Sequence, residues 1–149
     1  MPFPKRQGAS LVFRNARNAR FLVCFSENVH SPHLPHHYSD NTVAYTGTHD
    51  NNTTLGALYE ISNLERKRVA DYPCTDPCNI KQLTKAAVFA VFRSKAPLAT
   101  VPLWDILGYC KDTRKNTLAT SVANWAYRVA EWQLNEIDTC EQRYVNTIF

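Results

Sequence analysis

The sequence has no long apolar segment, and this limits its relation to membranes. Its longest apolar run, Ala86 to Phe92, is far shorter than the roughly 20 residues that a helix needs to cross a bilayer. The amino-terminal region also lacks the apolar stretch that a secretory signal requires. We therefore expect neither a membrane span nor a membrane partner.

The cysteines form no framework of paired spacings, and their number, five, is odd. This usage is typical of a reducing compartment, so we expect no disulfides and a cytoplasmic location. Cys74 and Cys78 nevertheless form a C-x3-C pair. Four histidines crowd one short segment: His30, His33, His36 and His37. Together these residues suggest an alternative, a zinc-binding module. We favour it less because zinc ribbons and fingers usually show two tightly spaced pairs, and we expect no metal and no cofactor.

Acidic residues are absent from the start of the chain, where the first one is Glu27. Five cations precede it, and the rest of the chain holds 12 cations against 13 acids. The first twenty residues therefore account for the positive net charge of the whole chain, +4. We interpret residues 1–19 as a non-homologous basic segment. A basic arm that binds nucleic acid and an Arg-rich transit segment are the alternatives. We expect no nucleic-acid partner for the remainder, residues 20–149, which we predict to be a single domain.

A short β-branched and aromatic run, Thr42 to Tyr45, predicts a buried strand. It is followed by Gly47-Thr48-His49-Asp50, which places an imidazole and a carboxylate just beyond the strand. In barrels of alternating strands and helices, catalytic side chains occupy this position, because the sheet fixes the backbone while the loop exposes the side chain. Asp50 is therefore a candidate catalytic residue. The alternative, a helix cap that binds the amides of Asn52 or Thr53, is the role that we favour for it in this chain alone.

The rest of the pattern predicts the order β, β, α, α, β, α. The run Phe21 to Phe25 predicts the first strand, and Leu98 to Val101 the third. Apolar residues from Leu55 to Tyr72 predict one helix that stops before Pro73, and Asp76-Pro77 predicts the start of the next. Gly108 is expected to terminate a turn. A last helix is predicted from three apolar residues: Trp125, Val129 and Trp132.

Several blocks of the chain resemble the 4-alpha-glucanotransferases, also called amylomaltases or disproportionating enzymes, of glycoside hydrolase family 77. "LPHHYSDNTVAYTGTHDNNTTLG", Leu34 to Gly56, is similar to the family's "LPHNY…VVYTGTHDNDTTLGW". "LERKRVADY", "VPLWDILG" and "NTLAT…NWAYR" follow in the family's order. The resemblance implies an α/β fold, the C-terminal part of a (β/α)8 TIM-type barrel that is incomplete in this chain.

The resemblance also implies roles for individual residues. Asp50 would be the carboxylate that stabilises the transition state, and His49 would bind a sugar hydroxyl. The family's nucleophile and acid/base, which retaining chemistry holds about 5 to 5.5 Å apart, lie upstream of the matched region. Glu27 stands in the wrong context to be the acid/base. Whether this chain is an enzyme is therefore uncertain, and we expect no catalysis by the chain alone.

Aromatic residues near the matched motifs are further candidates for stacking on glucose, although such residues are more often part of a core. They are Tyr45, Trp104, Trp125 and Tyr127. Two departures from the family pattern fall inside its motifs. Leu118-Ala119 replaces a Pro-Gly pair suited to a sharp turn, and Trp104 replaces a glutamine. These changes indicate that the sequence is no longer constrained by a catalytic function.

Three interpretations follow from the sequence. The first is a truncated, inactive piece of an enzyme that transfers α-1,4-glucan segments between maltooligosaccharides by a retaining double displacement. The second is a complementing half of a split enzyme, with an N-terminal barrel partner chain, or an oligosaccharide-binding fragment. The third, less favoured, is the zinc-binding module.

Overall fold

A computed structural model describes residues 17–20, 34–117, 120 and 124–148. Its strands are β1 (Arg17–Arg20), β2 (Thr42–Tyr45) and β3 (Leu98–Thr100). They form a parallel sheet in the order β1-β2-β3, with Ala44 beside Ala19 on one side and Ala99 on the other. Parallel strands that neighbour each other in chain order are the arrangement of an α/β barrel wall.

Strand β2 has the bounds predicted from the sequence, and its first three residues are buried. A parallel strand covered on both faces carries apolar and β-branched side chains throughout, which is the composition of β2. Strand β3 ends at Thr100, one residue before the predicted Val101. The predicted strand from Phe21 to Phe25 lies outside the described residues.

Between β2 and β3 the chain forms α1 (Thr54–Glu60), α2 (Asn63–Asp71) and α3 (Ile80–Phe92). The prediction of one continuous helix from Leu55 to Tyr72 is wrong, because α1 ends at Glu60 with Ile61 as its C-cap, and Ser62 is the N-cap of a second helix. Its Oγ accepts from the Glu65 amide at 3.3 Å, and the Glu65 carboxylate accepts from the Ser62 amide at 3.0 Å. This capping box starts α2 as a separate helix.

The start of α3 also differs from the prediction. Asn79, not Asp76, is its N-cap, with Oδ1 accepting from the Gln82 amide at 3.1 Å. Asp76 instead accepts from the Cys78 amide at 2.8 Å and stabilises a turn that precedes the helix. Both residue types cap helices well, so local preference did not distinguish them.

Beyond β3 the described helices are α4 (Leu103–Ile106), α5 (Glu131–Asn135) and α6 (Thr139–Ile148). Gly108 follows α4 with φ +67°, as its predicted turn role requires. The predicted last helix is wrong: Trp125 has φ +60° and lies, like Val129, outside helical structure. Only Trp132 of that set is helical, in α5.

The core lies between the sheet and the helices that connect β2 to β3. Helix α3 supplies four of its ten residues, α1 one and α2 two, and the others come from β2 and the segment before it. The core residues are Leu34, Tyr38, Ala44, Leu58, Val69, Ala70, Leu83, Ala87, Ala90 and Val91. Among the described helices, none has the length and apolar character to cross a bilayer.

Candidate active site at the carboxyl ends of the strands

The loop that follows β2 is folded tightly around its tip, which carries His49 and Asp50. The amide and hydroxyl of Thr48 donate to Asn51 Oδ1 at 2.9 and 3.0 Å, and the Asn51 amide donates to the Thr48 carbonyl at 3.1 Å. These bonds close a turn across the two residues. Bonds within the loop thus contribute to the shape of the tip.

The Asp50 carboxylate is oriented by residues from a distant segment. Asn116 Nδ2 donates to Asp50 Oδ1 at 2.5 Å, and Arg114 donates to the Asp50 backbone carbonyl at 2.8 Å. His49 Nε2 lies 3.2 Å from Asp50 Oδ2. The side chain of Asp50 is 39% exposed, so the structure fixes the carboxylate while leaving it open to a ligand.

Helix capping, the alternative role for Asp50, is wrong. Thr53 is the N-cap of α1, and its hydroxyl accepts from the Gly56 amide at 3.0 Å. The carboxylate of Asp50 points instead toward Asn116 and His49. Asp50 therefore joins the loop after β2 to the segment that contains Asn116, and it does not cap α1.

An exposed indole borders the histidine. The rings of Trp125 and His49 are 5.1 Å apart and tilted by 37°, and Trp125 is 52% exposed. Lys115 Nζ lies 5.9 Å from the ring centroids of both Trp125 and Trp104, and the Lys115 carbonyl accepts from the Trp125 amide at 2.6 Å. Of the four candidate aromatics, Trp104 and Trp125 thus lie beside one loop, 111–117, and an exposed aromatic face of this kind can pack on a sugar ring.

The other two candidates have different surroundings. Tyr45 is half-buried at the end of β2. The hydroxyl of Tyr127 accepts from Gln133 Nε2 at 2.7 Å, which connects it to α5. Neither residue has a contact that joins it to His49 or Asp50 among those of the described residues.

Arg114 and Asn116 were not among the predicted site residues, yet both contact Asp50. The loop is shaped by a bond from Arg114 Nε to the Asn116 carbonyl, at 2.7 Å. A signal for one of them was present, since Asn116 opens the family-like block "NTLAT". The substituted pair of that block, Leu118-Ala119, lies outside the described residues.

The zinc alternative requires a cluster of metal-binding side chains. Among the residues that the structure describes, no group of three or more His, Cys, Asp or Glu residues could hold a metal ion. Cys74 and Cys78 are both exposed with free thiols. His36 stacks on Tyr72 with ring centroids 5.8 Å apart, and its Nδ1 lies 3.1 Å from the Tyr72 hydroxyl. Desolvation lowers the pKa of His36 most, and the nearby charges of His37 and Lys95 lower it further. His30 and His33 lie outside the described residues.

The fold and the site together define a class: a parallel α/β barrel segment that presents a carboxylate, an imidazole and an indole at the carboxyl ends of its strands. Residues 17–135 match the family model described as 4-alpha-glucanotransferase. The chain belongs to the 4-alpha-glucanotransferase family.

Individual relatives agree with this assignment. The 4-alpha-glucanotransferase of Synechocystis is 40% identical over 75% of this chain and 22% of its own length. The chloroplastic/amyloplastic enzyme of Solanum tuberosum is 33% identical over 70% of this chain and 18% of its own length. The chain spans about a fifth of the length of these curated relatives.

A solved structure confirms the fold. An amylomaltase from Streptococcus agalactiae, in complex with acarbose, superposes with a TM-score of 0.80 at 24% identity. The match covers 89% of this chain and 27% of that protein. The predicted α/β class and the incomplete (β/α)8 barrel are therefore confirmed.

Proposed function

We propose that this chain contributes one part of a 4-alpha-glucanotransferase active site that transfers α-1,4-glucan segments between maltooligosaccharides. The observation that carries the proposal is the Asp50 carboxylate, fixed by Asn116 and paired with His49 at the open ends of the strands. A ligand-facing carboxylate held on a rigid sheet suits the stabilisation of a developing positive charge.

In this proposal Asp50 acts on the oxocarbenium-like transition state of a retaining double displacement. Its negative charge interacts more strongly with the cationic sugar ring of the transition state than with the neutral substrate, so it lowers the barrier more than it improves binding. His49 donates a hydrogen bond to a sugar hydroxyl, and its contact with Trp125 holds the imidazole in place. The reaction calls for no metal or other cofactor.

The nucleophile and the acid/base are proposed to come from an N-terminal barrel segment, on the same polypeptide or on a partner chain. Within the described sheet, β1 and β3 are the outer strands, and each has a neighbour on one side only. Leu98 of β3 is 43% exposed. Further barrel strands would pair with these edges and cover this apolar side chain. We infer that the 149 residues alone are a truncated, inactive piece.

Complementation tests the proposal. The chain is mixed with an amylomaltase from which the matching C-terminal segment has been deleted, and glucose release from maltotriose is measured. We expect activity in the mixture and none in either component. Glucose release by the unaided chain would contradict the proposal, because Asp50 would then not be limited to stabilising the transition state for a nucleophile and acid/base from elsewhere. An inactive mixture that still forms a complex in gel filtration would contradict the proposed contribution to catalysis.

A second candidate function is the binding of oligosaccharide without catalysis, which the exposed indole of Trp125 beside His49 favours. Titration with acarbose, monitored by tryptophan fluorescence, tests it. Binding that is lost in Trp125→Leu and kept in Trp132→Leu, at a similarly exposed indole on α5, would support this function. Equal behaviour of the two variants would contradict it.

Three broader assignments remain proposals. We propose that the domain begins near residue 20 and that residues 1–19 are a separate basic segment, although the family match and β1 both start at residue 17. We propose a cytoplasmic location, which the absence of paired cysteine spacing supports. We propose glucan as the ligand class, with neither nucleic acid nor membrane as a partner.

A further inference from the structure

One carboxylate near the site is almost fully buried. Asp105 lies in α4, shortly after β3, and is 2% exposed. A buried charge is costly unless hydrogen bonds replace its water. Asp105 accepts from the Thr46 hydroxyl at 2.5 Å, from the Thr54 amide at 2.7 Å and from the Thr54 hydroxyl at 2.9 Å. The carboxylate is thus a structural acceptor and is not open to substrate.

The two threonines that donate to Asp105 lie at the two ends of the loop that carries the site. Thr46 is the first residue after β2, and Thr54 is the first residue of α1. His49 and Asp50 lie between them. A single carboxylate therefore joins both ends of this loop, and both threonines are almost fully buried, at 1% exposure each.

We propose that Asp105 is a positioning residue, which fixes the ends of the 46–54 loop and so places Asp50 for catalysis. The tip is held separately by Asn116 and Arg114. Asp105 holds the two ends of the loop. Asn116 orients the Asp50 carboxylate, and Arg114 holds the Asp50 backbone. The catalytic consequence rests on the proposed function, whereas the control of loop order does not.

Two variants weaken the hydrogen bonds between Asp105 and the two threonines by different means. Asp105→Asn removes the charge but keeps one oxygen that can accept from the Thr54 amide. Thr46→Val removes only the hydroxyl that donates to Asp105 and keeps the side-chain shape. Thr84→Val is the matched control, because Thr84 is 2% exposed and its hydroxyl donates within α3, to the Ile80 carbonyl.

Hydrogen exchange of the backbone amides, measured on the full chain, is the first readout. We expect residues 46–54 to exchange at least about fivefold faster in Asp105→Asn and Thr46→Val. In both variants the α3 amides should keep their wild-type rates, and Thr84→Val should keep the wild-type rate in the loop. Unchanged loop exchange, or an equal increase in α3, would overturn the proposal, the latter because it would indicate a general loss of stability.

Turnover in the complemented mixture is the second readout. We expect kcat to fall in both variants while KM stays within about twofold, because misplacement of Asp50 affects the transition state more than substrate binding. A raised KM with unchanged kcat would overturn the positioning role. Absence of glucose release by the wild-type mixture would contradict the proposed function instead, and the exchange measurement would still decide whether Asp105 orders the loop.

Discussion

The hydrogen bond from Asn116 to Asp50 provides the sharpest test of how the site is organised. Asn116→Ala removes the amide that donates to Asp50 Oδ1 at 2.5 Å. A hydrogen bond to a charged group contributes about 1.5 to 3 kcal/mol. Because Asp50 is 39% exposed and water can replace part of the bond, we take a value just below this range, about 1.4 kcal/mol, which corresponds to about a tenfold effect.

The expected result is about a tenfold lower kcat in the complemented mixture with KM nearly unchanged, since Asp50 acts on the transition state. The assay is glucose release from maltotriose at saturating and at limiting substrate. Asn135→Ala, at an exposed position at the end of α5, is the matched control and should keep the wild-type kcat. A kcat within about twofold of wild type for Asn116→Ala would refute the role of this bond, because it lies far below the expected effect.

Two further predictions concern stability, measured by urea unfolding of the isolated chain. Leu58→Ala should lower the free energy of unfolding by about 2 to 5 kcal/mol, because Leu58 is fully buried in the core. Leu64→Ala, at a position that is 61% exposed, should change it by about 0.5 kcal/mol or less. Equal losses would contradict the packing described. Ser62→Ala should destabilise the chain through loss of the α2 cap, with Ser62→Thr close to wild type. Hydrogen bonds from Ser62 lower the pKa of Glu65 below its ordinary 4.5. That stabilisation is present above pH 4.5 and is lost as pH falls through the lower, folded-state pKa, so the Ser62→Ala defect should shrink in acid; a constant defect would argue against the capping box.

The parts of the fold that the sequence predicted correctly are those set by local pattern. Strand β2 reads as a continuous β-branched and aromatic run and has the predicted bounds. The family resemblance predicted the barrel, which composition alone could not have done. The helix errors arose where two local signals competed. Apolar spacing continues through Ile61 and Leu64, but the S-x-x-E sequence from Ser62 to Glu65 marks a new helix start and prevails.

The last predicted helix failed for a different reason. Its aromatic spacing fits a buried helical face, yet Trp125 and Trp132 are 52% and 61% exposed. Their spacing therefore does not correspond to a buried helix face in the part of the chain that the structure describes. Helical periodicity indicates which residues share a face of a helix, and it does not show whether that face is buried.

The candidate site was predicted in part. His49 and Asp50 were found because they follow a recognisable strand, and their catalytic roles remain predictions. The contact from Asn116 to Asp50 spans 66 residues of sequence, so no local pattern could indicate it. The buried Asp105 was also missed, since a carboxylate in an apolar block gives no sign of the threonines that it accepts from.

Removal of the Asp50 charge tests the central claim most directly. In the complemented mixture, Asp50→Asn keeps the side-chain shape and should lower kcat by about 100-fold or more, as the loss of preorganised electrostatic stabilisation does elsewhere. Asp112→Asn, at an exposed carboxylate in the nearby 111–113 turn, should keep the wild-type kcat. A wild-type kcat for Asp50→Asn, or an equal loss in both variants, would contradict the assignment of Asp50 as the carboxylate that stabilises the transition state.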